Sequence, residues 1–404
     1  MSRGDGVGLD VARLRAETPG CAERIHLNNA GAALPPAVVH RTVVEHLELE
    51  SRIGGYEAAD AKAGELAGLY DSLAQLVGGA ADEIAFVENA TRAFDMAFYA
   101  VPFRPSDRIL TAEAEYPSNV LAYLQTARRL GLSVEVVPSD AAGGLDVAAL
   151  ERMIDDRVRL IAVTHVPTHG GLVNPAAEIG AIARRFGVLY LLDACQSVGQ
   201  MPVDVDAIGC DMLAATGRKY LRGPRGTGFL WVRRERLAEL EPPLVDQRAA
   251  RWTGPDSYVL RTDAKRFETW ESYVAGRLGL KAAADDAMAI GIARMWPRIH
   301  ALAAELRRAL AAVDGVVVRD RGPELSGIVT FTKADEDADA LAARLRRRGI
   351  NTSVTDGPAH FDRHRRTYGP AVRASVHAYN TEDELERLVR TVAEGRTVAE
   401  GAGA

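Results

Sequence analysis

Lys219 stands in the run ATGRKYLRGPRGTG (residues 215–228), with Thr216, Gly217 and Arg218 before it and a Gly-Pro-Arg-Gly turn after it. A lysine on an ordinary surface helix needs no glycines nearby. One that must reach a bulky phosphate-bearing ligand does, because the backbone has to come close to that ligand. Asp193 lies 26 residues upstream, in the apolar run VLYLLDAC (188–195). In an open parallel sheet, ligands bind beyond the carboxyl ends of the strands. A carboxylate there can hold a protonated ring nitrogen, although such an aspartate, taken alone, more often caps the next turn.

A lysine and an aspartate on neighbouring strand ends have a specific joint use with pyridoxal phosphate. The amine forms a Schiff base with the cofactor aldehyde, and the carboxylate keeps the pyridine nitrogen protonated so that the ring accepts electrons. Such a cofactor also needs a phosphate cradle. ENATRAFDMAF (88–98) places Ala90, Thr91 and Arg92 at the start of a predicted helix, where free N–H groups attract anions. Asn89 as a plain helix cap is compatible with that role. Thr216 and Arg218 are further phosphate candidates. Tyr116, in AEAEYPSN (112–119), is placed to stack on a ring, or is an ordinary loop tyrosine.

Short apolar runs alternate with helical patterns through the middle of the chain. RLIAVTHV (159–166) and VLYLLDAC read as buried strands, and NPAAEIGAIARRFG (174–187) between them as a helix opened by Asn174-Pro175 and closed by Gly187. Further strands are expected at 82–88, 107–115, 132–139 and 227–234, with helices near 91–100, 118–130 and 144–154. This alternation predicts a mostly parallel sheet with helices on both faces. Residues 235–268 read as irregular. Beyond about 275 a long helical stretch (279–313) leads into strands at 327–334, 350–355 and 371–379 and helices at 337–349 and 381–394. The expected division is an N-terminal arm (1–24), a large domain (25–270), a smaller α+β domain (271–395) and a frayed tail (396–404).

The formal net charge of −6 leaves no basic footprint for nucleic acid. Three cysteines, Cys21, Cys195 and Cys210, form neither a disulfide framework nor a metal-ligand pattern, and they predict a reducing cytoplasm. The polar first 20 residues lack the apolar core of a signal peptide. No apolar run approaches the ~20 residues of a membrane span.

Eight segments in order, HLNNAGAALPP (26–36), ENATRAFD, EAEYPSN, VTHVPTHGGLVNP (163–175), LLDACQSVGQMPVDV (191–205), the lysine segment, KRFETWE (265–271) and VRASVHAYNTEDELERLV (372–389), resemble the class V aminotransferase superfamily of fold-type I pyridoxal phosphate enzymes. The resemblance implies an α/β fold: a large domain with a mostly parallel seven-stranded sheet, plus a smaller α+β C-terminal domain. It implies that Lys219 is the Schiff-base lysine and proton shuttle, that Asp193 pairs with the ring nitrogen, and that Gln196 faces the phenolic oxygen. Ala90, Thr91, Thr216 and Arg218 fall where the family binds phosphate. Tyr116 falls at the ring-stacking position, usually a histidine. Thr168 and His169 fall beside the cofactor's substituted edge. Arg373 matches the arginine that clamps the substrate carboxylate, and Asn29 and Ala30 the segment closing over it. Family members are homodimers with the site at the interface. Segments near 51–57 and 251–271, with Arg251, Trp252 and Glu271, are candidates for crossing between subunits or for plain structural roles.

A desulfurase of the usual type needs a mobile cysteine in its second domain, and no cysteine follows Cys210. GGYEAAD (54–60), THGGLVNP and GRKYLRGPRG are similar to hercynylcysteine sulfoxide lyases of ergothioneine biosynthesis, and KRFE to cysteine/cystine C–S lyases. The resemblance therefore implies a lyase that cleaves the Cβ–S bond of a cysteine S-conjugate or its sulfoxide, an amino acid substrate. An aminotransferase or an isopenicillin N epimerase-like enzyme uses the same lysine, aspartate and arginine. A non-catalytic cofactor-binding module is the reading from another class.

Overall fold

The structure, a computed structural model, describes residues 8–356, 361 and 368–394. The chain enters through a short strand, β1 (Ile25–His26). Seven strands then build one sheet: β2 (Ile84–Val87), β3 (Arg108–Ala112), β4 (Ser133–Val137), β5 (Val158–Thr164), β6 (Leu189–Asp193), β7 (Met212–Thr216) and β8 (Gly228–Val232). Their spatial order is β2-β8-β7-β6-β5-β3-β4. β8 alone runs antiparallel to its neighbours, and the other pairs are parallel.

The strands read as unbroken apolar runs because both faces are covered. Ile109, Leu160, Leu191 and Met212 point into one core layer. Leu110, Ile161, Leu192 and Leu213, one residue on, point into the other. Every residue of β6 and β7 is buried. Because β3, β5, β6 and β7 are parallel, Ala112, Thr164, Asp193 and Thr216 all emerge on one edge. Gly228, opposite Thr216 in the antiparallel β8, emerges there too.

The segment read as irregular contains an exposed hairpin, β9 (Ala250–Gly254) and β10 (Ser257–Leu260). The single helical stretch expected at 279–313 is two helices, Val274–Ile290 and Ile292–Ala311. Gly291 parts them at φ 92°, a conformation that L side chains rarely adopt. The first of these helices packs on Ala37–Ile53 and Ala63–Val77. The second packs on the strands Val316–Val318 and Ile328–Lys333 and on the helix Glu382–Ala393.

The second part of the chain carries β11 (Val316–Val318), β12 (Ile328–Lys333), β13 (Ile350–Asn351), β14 (Ser353–Thr355) and β15 (Ala371–Ser375). An antiparallel sheet, β11-β12-β15-β14, is flanked by the helices Ala338–Arg347 and Glu382–Ala393. The strand expected at 350–355 splits, because β13 leaves that sheet to pair with β1. The N-terminal arm is tied to the second domain: Arg15 donates to the Tyr379 carbonyl at 3.0 Å and pairs with Glu384 at 2.8 Å. The tail expected at 396–404 lies outside the described residues. Among the described residues no helix is long and apolar enough to cross a membrane.

Candidate active site

A cavity of about 430 Å³ opens at the strand-end edge, within the usual range for small-ligand sites. Asn89, Ala90, Thr91, Tyr116, Thr168, Asp193, Gln196, Thr216, Arg218 and Lys219 line it. Ten residues from five separate stretches of sequence thus meet in one place.

Each is placed by a local rule. Asp193 is the last residue of β6, and its Oδ1 accepts the Cys195 N–H at 3.0 Å. The helix Ala90–Phe98 starts at the cavity wall, capped by Asn89, whose side chain accepts from the Arg92 N–H. The peptide N–H groups of Ala90 and Thr91 have no intrahelical acceptor, as in any first turn. Gly228 makes room for them: a Cβ there would sit 3.2 Å from the Ala90 nitrogen and 2.9 Å from the Asn89 carbonyl carbon.

Lys219 follows β7 and is buried. Burial lowers the pKa of its amine below the ordinary 10.5, and Arg218 and Arg373 push the same way against Cys195 and Asp193. Its Nζ lies 5.9 Å from the centre of the Tyr116 ring. Arg373, on β15, does not line the cavity itself but bonds Thr168, which does. Its guanidinium donates to the Ser353 hydroxyl at 3.0 Å, to the Thr168 carbonyl at 3.0 Å and to the Thr168 hydroxyl. All of these acceptors are neutral, so no carboxylate among the described residues pairs with it, and burial lowers its pKa to about 10.

Three of the expected residues are placed differently. The side chain of Arg92 turns to Glu88, 4.0 Å away, and His169 bonds the Thr355 hydroxyl at 2.7 Å; neither lines the cavity. Asn29 is engaged in packing, donating to the Ser375 carbonyl at 2.7 Å and accepting from the Tyr379 hydroxyl. Its neighbour Asn28 touches Arg373 instead, at 3.5 Å. Ala30 receives Gln196 Nε2 on its carbonyl at 3.0 Å, and Arg218 donates to the Gly31 carbonyl.

Sequence reasoning missed Asn119, Thr164 and Val166, which also line the cavity, and Glu115 beneath it. Asn119 Nδ2 donates to Asp193 Oδ2 at 3.0 Å. The signal was present in EAEYPSN, where Glu115 stands four residues before Asn119, in the first turn of the helix Pro117–Leu130.

The donor set fits pyridoxal 5′-phosphate. A helix N-terminus with Thr91 and Thr216 suits the phosphate, Asp193 suits a protonated ring nitrogen, and Tyr116 offers an aromatic face. Gln196 Oε1 is buried and has no partner among the described residues. A polar atom in that state is expected to meet a ligand or water.

Comparisons with known proteins agree. Residues 25–388 match the family Aminotransferase class-V. A probable cysteine desulfurase of Methanothermobacter thermautotrophicus is 32% identical over 94% of this chain and 97% of its own. The apo cysteine desulfurase of Thermococcus onnurineus superposes with a TM-score of 0.88 at 27% identity, over 95% of this chain and 97% of that one. The cystine C-S lyase C-DES, solved with its reaction product cysteine persulfide, shares the fold, with a TM-score of 0.83 at 24% identity over 93% and 99% of the two chains. A match that runs nearly end to end, on a chain whose lysine, aspartate and helix start converge on one cavity, makes this protein a member of the class-V aminotransferase family, with pyridoxal 5′-phosphate as its cofactor.

Proposed function

We propose that this chain is a carbon–sulfur lyase that cleaves the Cβ–S bond of a cysteine S-conjugate or its sulfoxide by β-elimination, releasing pyruvate and ammonia. The observation that carries the choice is the state of its thiols. Relatives named cysteine desulfurase match it over nearly their full length, yet its three cysteines are all buried. Cys195 borders the cavity, but burial and the nearby Asp193 charge push its thiol well above the ordinary range, which keeps it protonated and a poor sulfur acceptor. Burial likewise raises Cys21, and raises Cys210 to about 12. The sulfur fragment then leaves as a small molecule.

When bound, the cofactor supplies an aldehyde for the substrate amine and a ring that withdraws electrons from Cα. The chain's residues do the rest. Asp193 accepts the ring N–H. Thr91, Thr216 and the first N–H groups of the helix hold phosphate. Arg373 takes the substrate carboxylate in exchange for its neutral acceptors. Lys219, as the free amine, removes the Cα proton. The Cβ–S electron pair leaves on sulfur, as a thiol from a sulfide or a sulfenic acid from a sulfoxide. Water completes the release of pyruvate and ammonia.

The test is pyruvate and ammonia release from a cysteine conjugate with no keto acid present. Strict dependence on a keto acid would establish an aminotransferase instead. Pretreatment of the native enzyme with iodoacetamide is expected to leave turnover intact, with no protein-bound persulfide by mass spectrometry. Loss of turnover together with a persulfide would establish a desulfurase. Assays of sulfide and sulfoxide substrates, including hercynylcysteine sulfoxide, which the motifs suggest, define the leaving group.

Arg373→Gln is expected to cost about 10–100-fold in kcat/KM, mostly through KM, since a hydrogen bond to a charged group contributes about 1.5–3 kcal/mol. An unchanged KM would remove Arg373 from the carboxylate site.

The same reading takes the working form as a cytoplasmic homodimer. Tyr56, Trp252 and Trp270 are 74%, 78% and 55% exposed, and they sit on the segments expected to meet a second copy. A second copy seated on those segments would take this apolar area out of water.

A further inference from the structure

Glu115 lies beneath the cavity with no solvent exposure, and none of the groups that act on it most strongly, Thr164, Tyr116, Asp193 and Asn119, is a cation. Five donors converge on its two oxygens. Oε1 accepts from the Tyr116 N–H at 2.6 Å, from Asn119 Nδ2 at 3.1 Å and from the Thr164 hydroxyl. Oε2 accepts from the hydroxyls of Thr111 at 3.1 Å and Tyr123 at 3.4 Å. An ionised carboxylate accepts everything offered, whereas an amide in its place would turn a donor against donors. Asn119 Nδ2 has two hydrogens: one goes to Glu115, and the other goes to Asp193 Oδ2 at 3.0 Å. With Oε1 anchored by two other donors, that amide has no freedom to turn away. Asp193 is then held at both oxygens, by Asn119 and by the Cys195 N–H.

We infer that Glu115 is a positioning residue: through the amide of Asn119 it fixes the carboxylate of Asp193 and adds a second negative charge behind it, and so sets how strongly a protonated ring nitrogen is held. The inference rests on the reading that Asp193 faces that nitrogen. A carboxylate buried for packing alone would be served as well by an apolar side chain. This one sits two hydrogen bonds from the reacting system, on β3's exit, while Asp193 ends β6. The groups facing it are Asp193, Tyr123 on the helix Pro117–Leu130, and Tyr190 on β6. Burial raises Glu115 to about 7, with the Asp193 charge adding to that and Thr164, Tyr116 and Asn119 opposing it. Its charge therefore changes near neutrality. Below that range the second negative charge disappears and the ring proton is held less strongly.

The experiment compares holoenzyme of Glu115→Gln, Asn119→Ala and the double variant with wild type, using cofactor labelled with nitrogen-15 in its ring. Expected for Glu115→Gln is a ring-nitrogen resonance shifted toward the unprotonated form, with kcat down about 10-fold, one unit of ring pKa, and KM within about twofold. Asn119→Ala should shift the resonance the same way, and the double variant should fall short of the sum of the two single effects, because the orienting share is lost only once while the charge share is lost with Glu115 alone. Unshifted resonances in the single variants, or effects that simply add, would overturn the inference. Should Glu115→Gln not fold, Asn119→Ala decides alone: an unshifted resonance overturns the proposal. Failure of the underlying reading looks different, because wild type itself would then show an unprotonated ring, or Asp193→Asn would leave the resonance unmoved.

Discussion

Replacing Lys219 by alanine is expected to lower kcat by about 10⁴-fold or more while leaving the fold intact, since one positioned acid–base group alone supplies about 10²–10⁴ and the proposed mechanism also gives this residue the covalent link. The argument starts from burial. Lys219 is 8% exposed and lies beside Asp193, Arg218 and Tyr116. Desolvation favours its uncharged form, and two guanidinium groups reinforce that preference. An uncharged amine can take a proton from Cα, and an ammonium cannot. Turnover should therefore fall as pH drops and the amine is charged. Lys219→Arg should fail as completely as alanine, because a guanidinium does not give up its proton in this range. Borohydride treatment of wild type loaded with cofactor should fix the label to Lys219, and the alanine variant should carry none. A label on another lysine, or more than about 1% residual kcat in Lys219→Ala, would remove the residue from the chemistry.

The two charged anchors were legible together rather than singly. Asp193 ends an apolar run and Lys219 sits between glycines, and a parallel sheet brings strand ends together without further information. The strands were legible because burial on both faces leaves continuous apolar runs. The hairpin Ala250–Leu260 was not, because its side chains are mostly exposed and carry no alternation to detect. The break at Gly291 was hidden in an alanine-rich helical pattern, where one glycine costs only about 1 kcal/mol and is no certain stop. Asn29 was misplaced because its partners, Ser375 and Asn380, lie about 350 residues away. Glu115 and Asn119 looked like loop residues for a similar reason. Their spacing acquires meaning only when β3 and β6 stand on either side of β5. Family resemblance supplied Gln196 and Arg373, whose types and spacing alone say little.

Asp193→Asn is expected to cost about 10³-fold in kcat and to weaken cofactor retention, with a smaller loss for Asp193→Glu. The charge term decides the size. A carboxylate paired with a cation at about 4 Å is worth about 4 kcal/mol at an effective dielectric near 20, which corresponds to roughly 10³ in rate if it acts wholly on the reacting state. Hydrogen-bond geometry adds a second loss. Both oxygens of Asp193 already accept donors, from the Cys195 N–H and from Asn119 Nδ2, each at 3.0 Å. Asparagine must present its NH₂ to one of them, setting donor against donor, at a cost of about 1–3 kcal/mol for the unsatisfied group. Glutamate keeps the charge and loses only the placement, so the gap between the two variants separates charge from geometry. The alternative role of Asp193, capping the turn through the Cys195 N–H, makes a different prediction: lowered thermal stability of the apoprotein with kcat nearly unchanged. Retention of more than about 10% of wild-type kcat by Asp193→Asn, at a lowered melting temperature, would assign the residue to the turn and leave the ring nitrogen without its partner.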